Sequence, residues 1–147
     1  MFQKILVPVD GSPLSALTIE RAVSFAKEAG AKLVFFFAKP EYPLSFYGEG
    51  ALIDPATPEQ FAKMAEEQAQ EILTEAVAQA TAQGVACDSL TLTHSAPWEG
   101  IIAAAVQNSA DLIFMASHGR RGISGLLLGS ETQKVLTHST IPVLVYR

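Results

Sequence analysis

Residues 33–37 read Leu-Val-Phe-Phe-Phe, five large apolar side chains in succession with no polar residue between them. Successive side chains of a strand point to opposite faces, so a strand with one wetted face alternates apolar and polar residues. A run without alternation asks for cover on both faces, the setting of a parallel sheet with helices on either side. Four other β-rich runs join it: Lys4 to Val9, Ala86 to Thr93, Asp111 to Ala116, and Ile141 to Tyr146. Helical segments alternate with the strands throughout. Right-handed crossovers then follow, and with them an α/β fold, a doubly wound five-stranded parallel sheet flanked by helices on both faces. The whole chain, 1–147, is expected to be one domain.

Local signals set the helix boundaries. Ser12 before Pro13 reads as N-cap and first helical position, and Gly30 as the stop. The first helix should turn Ala16, Ile19, Val23 and Ala26 inward. Thr57-Pro58-Glu59-Gln60 matches a capping box. The helix it opens should run to about Gln83 and bury Phe61, Ala65, Gln68, Ile72 and Ala76, leaving Glu67, Glu71 and Glu75 on the solvated side. A third helix over 97–108 should point Trp98, Ile101, Ile102 and Ala105 inward, and a short fourth runs from Ser130 to Thr137. Between Lys39 and Ala56 the chain is irregular, with three prolines, two glycines and the aromatics Tyr42, Phe46 and Tyr47. A connection of that length is commonly functional.

Composition narrows the function classes. A net charge of −5 argues against general nucleic-acid binding, which needs a basic surplus. The single cysteine, Cys87, excludes an intrachain disulfide and any multi-cysteine metal site, and its setting reads as strand packing. No apolar stretch approaches membrane-spanning length, and residues 1–10 lack the pattern of a signal peptide. The expected setting is the cytoplasm, with no membrane partner.

In an open parallel sheet, ligands sit beyond the carboxyl ends of the strands, where strand order reverses. The ends to watch are Asp10, Ala38 and the stretch Ala116-Ser117-His118-Gly119. Nine residues separate Gly119 from Gly129 and Ser130, which stand at the start of a helix. Glycines allow close backbone approach, and the first N–H groups of a helix are unpaired donors at a positive dipole end, so this loop can hold phosphate. Arg120 and Arg121 lie in the same loop and can screen phosphate charge. Asp10 can accept from a ribose or an adenine amino group, or can simply close its own turn. No Walker loop and no G-x-G-x-x-G fingerprint occurs. Neither His118, His94 nor His138 has the partners of a triad or metal site, so no catalytic residue and no protein-held metal is expected.

Taken together, Ile5-Leu6-Val7-Pro8-Val9-Asp10-Gly11-Ser12, Ala110-Asp111-Leu112-Ile113, Ser117-His118-Gly119-Arg120-Arg121-Gly122, Leu127-Leu128-Gly129-Ser130 and Pro142-Val143-Leu144-Val145 resemble the nucleotide-binding branch of the universal stress proteins. The resemblance spans essentially the whole chain. It implies a Rossmann-like sheet of the adenine nucleotide alpha hydrolase type, with ATP (or ADP or AMP) at the strand ends and Mg²⁺ on the phosphates. The residues it implicates around the nucleotide are Pro8, Val9, Asp10, Ala38, Met115, Ala116, Ser117, His118, Gly119, Arg120, Arg121, Gly129, Ser130, Glu131 and Thr132. Asp10 and Ala38 fall to the adenosine; Gly119, Gly129, Ser130, Glu131 and Thr132 fall to ribose and phosphates. It also implies a homodimer formed beside the last strand through Val143, Leu144 and Val145. One position departs from the pattern: Ala116 stands where the motif has its first glycine.

The expected function is that of a cytoplasmic stress-response protein, a nucleotide-dependent dimeric regulator rather than an efficient enzyme. A slow ATPase or phosphotransfer enzyme, and a nucleotide-free dimeric interaction protein, are the alternatives.

Overall fold

The computed structural model describes residues 1–43, 57–119 and 127–147. In chain order these form β1 (Lys4–Pro8), α1 (Pro13–Ala29), β2 (Lys32–Lys39), α2 (Pro58–Ala82), β3 (Cys87–Thr93), α3 (Pro97–Gln107), β4 (Leu112–Ala116), α4 (Ser130–His138) and β5 (Val143–Tyr146). The strands lie in the order β3-β2-β1-β4-β5 and every neighbouring pair is parallel. Strand order reverses at β1, whose neighbours are β2 on one side and β4 on the other.

The apolar run of β2 is buried from Leu33 to Phe37, as its lack of alternation requires. Its odd members and its even members serve different cores. Leu33, Phe35 and Phe37 join Ile5, Val7, Leu112 and Phe114 under α1 and α2. Val34 and Phe36 join Leu6, Ile113 and Met115 under α3 and α4. Fully burying each of these side chains contributes about 1.5–3 kcal/mol, so the central strands anchor both layers at once.

The expected caps are present. Ser12 Oγ accepts from Ser15 N at 3.1 Å, and Gly30 closes α1 in the left-handed region at φ 66°. Thr57 Oγ1 accepts from Gln60 N at 3.2 Å while Gln60 Oε1 accepts from Thr57 N at 3.0 Å, completing the capping box.

The expected helix faces hold in part: Ile19, Val23 and Ala26 of α1, Ala65 and Ala76 of α2, and Ile101 and Ala105 of α3 are buried, and other members of each face differ. Ala16 is exposed, and α1 instead buries Ser15, Thr18, Ile19, Ala22, Val23 and Ala26. The polar members fit because Thr18 Oγ1 donates to Leu14 O at 2.7 Å, and Ser15 Oγ finds a partner described below. In α2 the buried stripe is Ala65, Ala69, Leu73, Ala76 and Ala80, with Phe61, Gln68 and Ile72 at its margin. Small residues let this helix lie close on the sheet, which favours the alanine row over the bulkier one. Trp98 and Ile102 are likewise half-buried, and Gly100 and Ala104 replace them at the α3 contact.

Strand limits also moved. Lys39 is the last residue of β2, paired with Thr93, rather than the first of the irregular connection. Most of that connection, 44–56, lies outside the described residues. Asp111 precedes β4: its carboxylate accepts from Gln3 N at 2.8 Å and Lys4 N at 3.0 Å, fixing the start of β1. Cys87 opens β3, half-buried, with Sγ 3.9 Å from Val77 O.

Candidate functional site

The reversal at β1 sends the chain to opposite faces of the sheet, from β1 to α1 and from β4 to α4. In this architecture the expected place for a ligand is the crevice between the carboxyl ends of β1 and β4. Asp10 follows β1 and Gly119 follows β4, and the two meet across it. A Cβ built on Gly119 would fall on Asp10 Oδ2. A side chain at 119 would have to push the Asp10 carboxylate aside, whereas the backbone angle makes no demand for glycine, since its φ is not among the positive ones.

Gly129 has the same kind of requirement. A Cβ there would meet His118 Cα at 3.0 Å and Ser117 O at 3.2 Å, and its φ of −61° is ordinary. Gly129 N donates to Ser117 O at 2.8 Å, so the chain leaving β4 and the chain entering α4 are pinned together. A second tie lies one turn on, where buried Thr132 donates its Oγ1 proton to Ala116 O at 3.0 Å. The start of α4 is in this way fixed to the end of β4 by two hydrogen bonds.

That fixed helix end is open. Gly129 is its N-cap, and among the described residues no side chain caps it. The N–H groups of Ser130, Glu131 and Thr132 have no intrahelical acceptor, and the dipole adds partial positive charge there. The arrangement suits an anion.

The residues named from the sequence take several positions. Pro8 and Val9 end β1, with Val9 buried and its N–H donating to Phe36 O at 2.8 Å. Ala38 sits near the end of β2, opposite Leu92. Met115 is buried and belongs to the core under α3 and α4. Ala116 ends β4, paired with Tyr146, and does not have a positive φ, so its methyl brings no backbone strain. Ser117 is buried, with Oγ 3.1 Å from His118 Nδ1. A Ser117 hydroxyl donating to Nδ1 leaves the ring proton of half-buried His118 on Nε2. Ser130 is exposed at the first position of α4. Arg120 and Arg121 lie outside the described residues.

Three roles were not read from the sequence. Thr132 spends its hydroxyl inward on Ala116 O and so presents only its backbone at the helix end. Ser15 Oγ accepts from Asp10 N at 3.2 Å; Asp10 Oδ1 itself accepts from Ser12 N at 2.9 Å, the turn closure that the sequence offered beside a ligand role. Glu131 Oε2 accepts from Trp98 N at 2.8 Å, capping α3 from the first turn of α4. A signal for this last contact existed. Ala96 stands at the N-cap of α3 and has no side-chain acceptor, so another element had to supply one.

A cleft of about 290 Å³ lies between α1 and α2, lined by Gly11, Ser12, Ser15, Gln68, Glu71 and Glu75 among others. Its two hydroxyls are already committed to the α1 cap and to Asp10 N. Among the described residues, no three His, Cys, Asp or Glu side chains come together as a metal site, and no helix is long and apolar enough to cross a membrane.

Comparison with known proteins agrees with this fold. The sequence model of the universal stress protein family matches residues 1–147. A universal stress protein of Thermus aquaticus is 33% identical over 147 residues, covering 100% of both chains. A member from Burkholderia pseudomallei superposes with a TM-score of 0.78 at 25% identity, covering 99% of this chain and 96% of that one. A universal stress protein solved in complex with cAMP superposes with a TM-score of 0.71 at 29% identity, covering 99% and 97%. Likeness of this extent, from the first strand to the last, places the chain in the universal stress protein family.

Proposed function

We propose that this chain binds ATP or a related adenine nucleotide in the crevice between β1 and β4, and works as a nucleotide-dependent dimeric regulator rather than as an efficient enzyme. The observation that carries the reading is the corner at Gly119 and Gly129. Two glycines at which a Cβ would crowd Asp10 or the chain at Ser117 and His118 bring Asp10 near the first turn of α4, which no described side chain caps. Asp10 and the backbone near Ala38 take the adenosine, and the N–H groups of Ser130, Glu131 and Thr132 take phosphate oxygens. With the Ser117 hydroxyl donating to Nδ1, His118 would offer Nε2 as a further donor. The relative whose structure contains cAMP supports an adenine nucleotide as the ligand class.

Any Mg²⁺ would be held by the nucleotide's own phosphates, given the lack of a ligating cluster among the described residues. Dimerisation through β5 is favoured by its place at the sheet edge, with Val143, Leu144 and Val145 only half-buried in the single chain. A cytoplasmic location belongs to the same reading.

The alternatives have less support. For a phosphotransfer enzyme working through His118 or a serine near Ser130, the hydroxyl that His118 meets among the described residues is that of Ser117, which is 4% exposed and cannot reach a substrate phosphate without opening the core. For a nucleotide-free interaction protein, Ala116 would have to close the site, yet it sits in regular strand geometry. The test is to denature purified protein and assay the supernatant for adenine nucleotide, with titration calorimetry against ATP and AMP. Released nucleotide, or saturable heat at sub-millimolar ligand, is expected. No co-purifying nucleotide and no heat at millimolar ligand would overturn the reading.

A further inference from the structure

Glu131 does two things at once. Its backbone N–H belongs to the open first turn of α4, while its carboxylate is held just beside that turn. Oε2 accepts from Trp98 N at 2.8 Å, and Oε1 lies 3.8 Å from Lys134 Nζ. The carboxylate has a reason to stay. Ala96 gives α3 no side-chain cap, so moving the Glu131 side chain away would leave the first turn of α3 without this acceptor. Lys134 is a partial counterweight only, since its side chain is 50% exposed and the contact is long. The result is a negative charge fixed within about one helical turn of the N–H groups that face the crevice.

We propose that Glu131 is a charge-selectivity residue: it shifts the site's preference away from nucleotides with many phosphate charges and toward those with few. The inference rests on the adenine-nucleotide reading above. Each added phosphate charge meets the fixed carboxylate as well as the helix end. At about 7 Å in water-like surroundings, one such pair changes a binding constant by about threefold. From AMP to ATP the added charge is about two units at neutral pH, so the bias amounts to about sevenfold.

Glu131→Gln separates charge from structure, because the amide oxygen still accepts from Trp98 N. Lys134→Gln acts in the opposite direction on an exposed residue, and serves if the first variant does not fold. The experiment is titration calorimetry with AMP and with ATP, in EDTA at low salt and again at about 0.5 M NaCl, where exposed charges are screened. In Glu131→Gln the affinity for ATP relative to AMP should rise by about sevenfold at low salt, and the gain should fall below about twofold at high salt. In Lys134→Gln the relative affinity for ATP should fall. AMP and ATP binding with a ratio that neither variant moves, or that moves independently of salt, would overturn the inference and leave the nucleotide reading standing. Failure of the unaltered protein to bind either ligand would overturn both.

Discussion

The corners that follow β1 and β4 start from the same materials and end differently. Each leaves a central strand, passes a glycine, and enters a helix whose first residues lie at the sheet's carboxyl edge. After β1 the chain satisfies itself: Ser12 caps Ser15, Ser15 accepts from Asp10, and Asp10 accepts from Ser12. After β4 the side chains that could have capped α4 are used elsewhere. Thr132 turns inward to Ala116 O, Glu131 turns aside to Trp98 N, and Ser130 stands exposed. One helix end is closed by its own hydroxyls, and the other is tied to the end of β4 and, among the described residues, left uncapped. A helix N-terminus becomes a binding element only when its own sequence declines to cap it.

The difference can be broken from either side. The largest effect on binding is expected at Gly119→Ala, where the new methyl must displace the Asp10 carboxylate. Overpacking of this kind should weaken nucleotide binding by about 10- to 100-fold in calorimetry. Since Gly119 is exposed, the thermal midpoint should move little. Next comes Thr132→Val, which leaves Ala116 O without its buried donor and loosens the open helix end. It should cost about 1–3 kcal/mol in urea unfolding and weaken binding with it. Ser12→Ala should remove the α1 cap for about 1 kcal/mol of stability while nucleotide affinity stays within about twofold. Equal loss of affinity in Ser12→Ala and Thr132→Val would erase the distinction between the corners.

The smallest effect concerns the end of β2, a third strand end used here as a control. Lys39 Nζ donates to Glu66 Oε2 at 2.7 Å and Gln70 Nε2 to Glu66 Oε1 at 2.8 Å. These bonds, Lys39 first, hold the Glu66 carboxyl below its ordinary value of 4.5. A carboxyl lowered by folding stabilises the native state above its unfolded value, and that contribution is lost as the pH falls through the lowered one. The difference in thermal midpoint between the unaltered protein and Glu66→Gln should therefore shrink as the pH drops from about 5 to about 3. Nucleotide affinity at neutral pH should not respond to that substitution.

The fold was open to reading because it rests on patterns that need no partner to interpret. The unbroken apolar run of β2, the Ser12-Pro13 and Thr57-Gln60 caps and the regular alternation of elements all act within a few residues. The helix faces were less open. In α2, Ala65 and Ala76 face inward as expected, but they are joined by Ala69, Leu73 and Ala80 rather than by Phe61, Gln68 and Ile72, a choice that only packing on the sheet decides. The candidate site divides in the same way. The place of Asp10, Gly119 and Gly129 at strand ends follows from topology, and the spacing of the glycines stands in the sequence. The reason for each glycine does not, because it depends on which backbone or carboxylate lies opposite. Glu131 was grouped with the phosphate contacts, but its carboxylate answers to a helix 33 residues earlier, which spacing alone does not reveal.

The central claim is that α4, and not α1, offers its first turn to the nucleotide's phosphates. Backbone amide NMR during titration tests it most directly, by following residues at both helix starts with ATP, AMP and adenosine. The account predicts saturable shifts at the amides of Ser130, Glu131 and Thr132 that are larger with ATP or AMP than with adenosine, while Leu14, Ser15 and Ala16 respond weakly. Phosphate-dependent shifts concentrated at Leu14 to Ala16, or the same shifts at Ser130 to Thr132 with and without phosphate, would contradict it.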